Sequence, residues 1–151
     1  MPSPVLMCTD GSELSIAALR AGLALLGSDR EFVVVTVRDE PDATLVTGTG
    51  LAGGVMTAGE YERLAAAAAE EAADVVTTTA QALGIEGAAT RVLEGAPGPA
   101  ICDLAAELAA SAVVIGSRGR GGLRRAVLGS VSDHVVRNAP CPVIVTGPHG
   151  A

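Results

Sequence analysis

A glycine- and arginine-rich segment carries the residues of this chain best suited to chemistry. Residues 116–130 read GSRGRGGLRRAVLGS and directly follow the apolar run 112–115. A buried strand therefore leads into a loop that holds four arginines and ends where Ser130 can begin a helix. Glycines let a backbone turn through positive φ and bring bare N–H groups close to a phosphate, and a helix N-terminus adds partial positive charge. The segment predicts an anion site.

The glycines of this segment are spaced as a motif. Gly116, Gly119 and the pair Gly129 and Ser130 form the pattern Gly-x2-Gly-x9-Gly-Ser. This pattern resembles the nucleotide-binding signature of the universal stress protein family, specifically of its ATP-binding branch. The similarity extends along nearly the whole chain, from VLMCTDGS at residues 5–12 to PCPVIV at residues 140–145.

The family resemblance implies a set of nucleotide-binding residues. Two glycines would admit the ribose-phosphate to the backbone, the helix start would bind phosphates, two residues at strand ends would position the nucleoside, and neighbouring backbone groups would add contacts. Arg118 lies within the motif and is included as a source of positive charge. The predicted site residues are Asp10, Val37, Ile115, Gly116, Arg118, Gly119, Gly129, Ser130, Val131 and Ser132. The sequence predicts no catalytic residue and no metal ligand among them.

Two of these residues also have a plain structural interpretation. Asp10 can act as the N-cap of the first helix, because Glu13 three residues later completes a pattern like a capping box. Ser130 is an equally good N-cap, followed at the same distance by Asp133. Both alternatives remain open from sequence, and capping does not exclude contact with a nucleotide.

Composition restricts the kind of ligand and partner. The 151 residues are predicted to form one domain, residues 1–151, and the net charge of −7 argues against nonspecific binding to nucleic acid or to a membrane surface. The chain has no lysine, which excludes a Walker A loop. With one Phe, one Tyr and no Trp, a bound base would lie between aliphatic side chains and backbone groups rather than on an aromatic stack.

The cysteines and the N-terminal residues predict the cellular compartment. Cys8, Cys102 and Cys141 are odd in number and lie far apart without metal-site spacing, which is typical of reduced thiols used in packing. The first residues show neither a basic start nor a long apolar stretch. We expect a cytoplasmic protein with no membrane association.

Apolar runs and helical patterns alternate along the chain, which predicts an α/β fold with a parallel sheet covered on both faces. Right-handed crossovers favour a doubly wound, Rossmann-like sandwich, and the family resemblance implies the strand order 3-2-1-4-5. Ligands would then bind at the carboxyl ends of strands one and four. Strands are predicted at 5–9, 32–37, 88–93, 112–115 and 143–146, with the intervening helices ending near Gly27, Gly84, Ala110 and Asn138.

The resemblance implies an ATP-binding universal stress protein that acts as a nucleotide-dependent stress-response switch, with Mg²⁺ accompanying the triphosphate. Family members commonly pair through the last strand, so a homodimer is expected. Two other functions remain open: a nucleotide-free adaptor for a protein partner, and a slow ATP hydrolase. No residue pattern names a catalytic base for fast turnover.

Overall fold

The computed structural model describes residues 2–39, 56–117 and 128–147, and these form five strands that alternate with four helices. The strands are β1 (Val5–Cys8), β2 (Phe32–Arg38), β3 (Ala89–Glu94), β4 (Ala112–Gly116) and β5 (Val143–Thr146). The helices are α1 (Glu13–Leu26), α2 (Ala58–Leu83), α3 (Pro97–Glu107) and α4 (Ser130–Asn138). Arg118 and Gly119 of the predicted site lie outside the described residues.

The described strands form one parallel sheet in the order β3-β2-β1-β4-β5. This confirms the predicted fold class and strand order. β1 lies at the centre, with Met7 in register with Val34 of β2 and with Val114 of β4. The chain order reverses on either side of β1, so β1 and β4 form the topological switch of the sheet.

The core lies on both faces of this sheet, because successive side chains of a strand point to opposite sides. Leu6 and Cys8 pack with α3 and α4, whereas Val5 and Met7 pack with α1 and α2. Burial on both faces explains why β1, β2 and β4 appear in the sequence as nearly continuous apolar runs. Among the described helices, none combines the length and the apolar character needed to cross a membrane.

The predicted helix stops are correct for the first two helices, and the predicted starts are partly wrong. Gly27 and Gly84 end α1 and α2 with φ of 78° and 71°, values that suit glycine. The N-cap of α1 is Ser12, whose hydroxyl accepts from the Ser15 N–H at 3.1 Å, so the interpretation of Asp10 as its cap is wrong. The N-cap of α4 is Gly129, which places Ser130 inside the helix as its first residue.

Close packing of α1 on the sheet depends on Gly22, a buried helix residue that faces β4. A Cβ atom added to Gly22 would lie 2.4 Å from Cγ1 of Val114. Val114 is fully buried in the close-packed core, so its side chain has no room to move away from a Cβ atom at position 22. The absence of a side chain at Gly22 therefore sets the distance between α1 and the sheet.

We expect Gly22→Ala to lower the free energy of unfolding by about 1–3 kcal/mol, the usual cost of overpacking a core. Gly59→Ala is the matched control, because Gly59 lies in α2 with Thr57 Oγ1 at 4.0 Å as its nearest neighbour. That change should stabilise the protein by about 0.5 kcal/mol through helix propensity. Urea denaturation measures both, and a neutral Gly22→Ala would show that α1 can shift on the sheet.

Cys8 is a buried packing residue, as the sequence indicated. Its side chain is enclosed by the core at the end of β1. Burial, with a smaller effect of Cys102 and Cys141, raises the pKa of the Cys8 thiol to about 12 from the usual 9.0. The thiol therefore stays protonated in the folded protein at pH values where it ionises in the unfolded chain.

This difference predicts a loss of stability at alkaline pH. Between pH 9 and 12 the unfolded chain has released the Cys8 proton and the folded chain retains it, so the free energy of unfolding falls as pH rises. Below the unfolded-state pKa, the stabilisation from the buried, protonated thiol is fully present. Within the window, the free energy of unfolding falls by about 1.4 kcal/mol for each pH unit. Urea denaturation across this range should give a shallower decline for Cys8→Ala than for the parent protein. Parallel declines would show that the thiol ionises in the folded state.

Candidate functional site

The centre of the sheet has a notch at its carboxyl edge, because β1 ends before its two neighbours do. The last β1 residue, Cys8, pairs with Val35, and β2 continues three residues further to Arg38. On the other side Met7 pairs with Val114, which places Ile115 level with Cys8, and β4 continues one residue further to Gly116. We call this gap, bounded by Val37 and Gly116, the notch. It coincides with the topological switch, where α/β sheets bind ligands.

Backbone groups of β2 and β4 face into the notch. In a parallel ladder the N–H and C=O of one residue face the same neighbour, and successive residues alternate. The Thr9 N–H donates to Val35 O at 2.9 Å, so Val35 faces β1, and two residues later Val37 faces the same side beyond the end of β1. On β4, Val113 and Ser117 bond to β5, so alternation turns Gly116 toward the notch.

The start of α4 lies beside the end of β4 and has no side-chain cap. Gly129 is the cap residue, and the Asp133 N–H makes the first helical hydrogen bond, to Gly129 O at 2.9 Å. The N–H groups of the three intervening residues therefore have no partner within the helix. Together with the helix dipole, they form a concentration of positive partial charge. These three residues are the predicted site residues Ser130, Val131 and Ser132.

The first turns of the other helices are organised differently. Ser12 and Thr57 cap α1 and α2 with their hydroxyls. α3 also lacks a side-chain cap, but Pro97 and Pro99 have no N–H to offer. Among the described helices, α4 is therefore the one whose first turn presents a full set of backbone donors.

A single carbonyl joins the two ends of the loop that connects β4 to α4. Ser117 O accepts from the Gly129 N–H at 2.7 Å and from the Ser132 hydroxyl at 3.3 Å. The Ser132 hydroxyl also lies 3.1 Å from Gly129 O. Ser132 is buried, so its hydroxyl serves this closure, and its part in ligand binding stays a prediction. The closure holds the start of α4 next to the notch.

The remaining predicted residues lie near the notch in different roles. Ile115 is buried, and its backbone bonds to β5, because it lies between Val113 and Ser117 on the same ladder. The backbone facing the notch therefore belongs to Gly116 rather than to Ile115. Val131 packs its side chain on the core beneath α4. The structure thus brings together Asp10, Val37, Gly116 and the start of α4 along one edge.

The described glycines of the motif do not use positive φ. Gly129 has φ of −71°, and Gly116 lies within β4. At this edge the positive values belong to Gly11, with φ of 82°, and to Gly95, with φ of 107°. The expectation that motif glycines turn the backbone through positive φ is therefore wrong for Gly116 and Gly129. Gly11 provides the sharp turn that takes the chain out of β1.

Asp10 lies in this turn, and its carboxylate shapes the loop. Oδ1 accepts from the Ser12 N–H at 2.9 Å and from the Ser12 hydroxyl at 2.5 Å. Such a turn, in which the side chain bonds to the backbone two residues further on, is typical of aspartate. The carboxylate is held at the floor of the notch, next to the end of β1.

Sequence reasoning missed Arg38, which directly follows Val37. Its guanidinium pairs with Glu94, its register partner on β3. Its Nε is buried and forms no hydrogen bond with a described residue. Opposite charges at the ends of two apolar runs were a signal of this pair, but recognising it requires the strand register.

A concavity of about 640 Å³ lies at the opposite, amino edge of the sheet. It is lined by residues at or near strand starts and helix ends, among them Phe32, Ile85 and Ala88. Ligands of α/β sheets bind at carboxyl ends, so the notch remains the better candidate despite this cavity. Within the described ranges, no group of three or more His, Cys, Asp or Glu side chains could hold a metal ion.

Comparison with known protein sequences agrees with this architecture. The model of the universal stress protein family matches residues 1–147. The chain is 31% identical over 145 residues to universal stress protein MJ0531 of Methanocaldococcus jannaschii, covering 93% of this chain and 79% of that protein. It is 30% identical over 149 residues to YxiE of Bacillus subtilis, covering 96% and 99%.

Solved structures share the fold. Universal stress protein UspA from Lactobacillus plantarum superposes with a TM-score of 0.73 at 22% identity, covering 95% of this chain and 97% of that one. A universal stress protein in complex with cAMP gives 0.57 at 25% identity, covering 96% of each chain. A protein of the same family from Arabidopsis thaliana with AMP bound gives 0.61 at 16% identity, covering 99% and 94%. By its fold and its family match, the chain belongs to the universal stress protein family.

Proposed function

We propose that this chain binds an adenine nucleotide at the notch, with ATP as the preferred form, and acts as a nucleotide-dependent switch in a cytoplasmic stress response. The observation that carries the proposal is the uncapped start of α4 beside the notch. An anion bound there would accept hydrogen bonds from the amides of Ser130, Val131 and Ser132.

The negative charge of the phosphates would be balanced by backbone N–H groups and by arginine. The chain has no lysine, and the motif segment supplies Arg118 beside Gly119, both outside the described residues. Gly119 would let the phosphate approach the backbone. Mg²⁺ would be held mostly by phosphate oxygens and water, as is usual for this ion.

The base would lie against the other side of the notch. An N–H and a C=O of one residue, Val37, face the gap beyond the end of β1. Adenine presents an amino donor next to a ring acceptor, which matches such a pair, whereas guanine presents a carbonyl oxygen where adenine has the amino group. Asp10, at the floor of the notch, would meet the ribose.

The related structures support this assignment of ligand class. The universal stress protein solved with cAMP contains an adenine nucleotide and matches this chain over nearly its full length. The Arabidopsis protein shows that the same fold also accommodates AMP. The ligands named for these two structures are monophosphates, so the preference for ATP rests on the three amides at the start of α4.

Substitutions at Ser130 test this proposal, because the residue is exposed and occupies the first helical position. Ser130→Pro removes one amide donor at a position where helices favour proline, and the preceding Gly129 already has an extended ψ of 165°. We expect the variant to keep its stability and to bind ATP about tenfold more weakly, the effect of losing one charge-assisted hydrogen bond. Isothermal titration calorimetry measures the affinity.

Ser130→Ala is the matched control, because it keeps the amide and removes the hydroxyl. It should leave stability unchanged, since the hydroxyl does not cap α4. Unchanged ATP affinity in Ser130→Pro would show that the phosphates bind elsewhere.

The parent protein should bind ATP more tightly than GTP, and equal affinities would contradict the role of Val37. Binding of neither nucleotide would favour the adaptor function, and phosphate release during the titration would favour the hydrolase.

We further propose that the protein forms a homodimer through β5. This strand is an edge of the sheet, and all four of its residues are partly exposed. Val113 N bonds to Pro142 O and Ser117 N to Thr146 O, so Val143 and Val145 alternate away from β4. Their backbone groups point outward and would pair with a second β5 across a two-fold axis.

Val145→Pro removes one outward N–H without touching the ladder between β4 and β5. We expect it to convert the dimer to a monomer of 14.9 kDa, measured by light scattering after size exclusion. Val145→Ala keeps the N–H and is the control. Dissociation by both variants would assign the interface to side-chain packing, and a dimer that survives both would place it away from β5.

A further inference from the structure

Three buried hydroxyl groups from different parts of the chain meet beneath the Asp10 turn. Thr9 follows β1, Ser15 lies in α1 and Thr79 lies in α2, and each is almost completely enclosed. Thr9 Oγ1 lies 3.1 Å from Thr79 Oγ1 and 3.3 Å from Ser15 Oγ. Thr9 and Thr79 are 70 residues apart in the sequence, so the contact exists solely through the fold.

The direction of these hydrogen bonds follows from the capacity of a hydroxyl, which donates one proton and accepts two. Thr9 Oγ1 accepts from the Gly11 N–H at 3.0 Å and from the Ser15 hydroxyl. Both acceptor positions are thereby filled. In this arrangement the Thr9 proton goes to Thr79 Oγ1, 3.1 Å away, and Thr79 is the acceptor at the end of the chain of hydroxyls.

The other end of this chain of hydroxyls is the backbone of the turn that carries Asp10. Ser15 Oγ accepts from the Asp10 N–H at 3.2 Å while its own proton goes to Thr9. Two successive amides, those of Asp10 and Gly11, are thus held by hydroxyls that depend on Thr79. The Asp10 carboxylate is tied to the same turn through Ser12.

We propose that Thr79 is a positioning residue for the nucleotide site, acting through Thr9 and Ser15 on the turn that carries Asp10. Without an acceptor at position 79, the Thr9 proton either stays unpaired in a buried place or turns toward Ser15. The second arrangement takes away the bond that Ser15 donates. Either outcome loosens the Asp10 and Gly11 amides. The assignment of the ligand rests on the proposed function, whereas the effect on the turn does not.

Thr79→Val tests the inference, because it keeps the shape of the side chain and removes the acceptor. We expect the exchange of the Gly11 and Asp10 amides with deuterium in the nucleotide-free protein to accelerate about tenfold, and ATP affinity to fall by a similar factor. Thr79→Ser retains the hydroxyl and should restore both to near the parent values. Thr77→Val is the control, because Thr77 is exposed on the same helix and donates to Ala73 O.

Each outcome decides between structural and positioning roles. Unchanged exchange at Gly11 in Thr79→Val overturns the proposal, and so does acceleration spread evenly over α2 and the sheet, which reports lost stability alone. Failure of Thr79→Ser to rescue would also overturn it. Local acceleration with unchanged ATP affinity would overturn the positioning role, because the turn then does not contribute to binding. If the parent protein binds no nucleotide and exchange still accelerates locally in Thr79→Val, the proposed function is refuted and the control of the turn by Thr79 stays intact.

Discussion

The early end of β1 is the constraint on which the rest of the site depends. β1 is the central strand, yet it stops at Cys8 while both neighbours continue. A strand that leaves a sheet uncovers the ladder groups of its neighbours, and these groups require partners. Among the residues that the structure describes, the notch is therefore a place where hydrogen-bonding capacity remains after folding. Its position at the topological switch follows from the strand order alone.

The structure holds this gap open with local interactions of short range. Gly11 turns the chain sharply, and the Asp10 carboxylate secures the turn through Ser12. On the other side the Ser117 carbonyl draws Gly129 against the end of β4, which sets the start of α4. Neither the Asp10 turn nor the hydrogen bond to the Ser117 carbonyl involves a charged cluster or a large buried side chain. Small polar residues position the edge, while the aliphatic layers on either side supply the stability.

The sequence predicted the fold well, because each strand and helix has its own periodic signal and its own stop. Gly27 and Gly84 marked helix ends that the structure confirms. It predicted the caps less well, since Asp10 and Ser12 are both residue types that favour the N-cap position, and the hydrogen bond from the Ser15 N–H to Ser12 decides between them. Ser130 and Gly129 present the same ambiguity. The pairs Arg38 with Glu94 and Thr9 with Thr79 could not be predicted, because they depend on register and on how α2 packs.

The backbone of Val37 has a consequence for how specificity is encoded. Every residue other than proline carries the same N–H and C=O, so the groups that face the notch do not change when the side chain does. A base recognised in this way would leave no trace in the identity of residue 37. Proteins with this sheet could exchange that residue freely among aliphatic types and keep one ligand, and a search for specificity determinants among side chains would pass over it. In that case the specificity for the base would lie in where β1 stops rather than in which amino acid stands beside it.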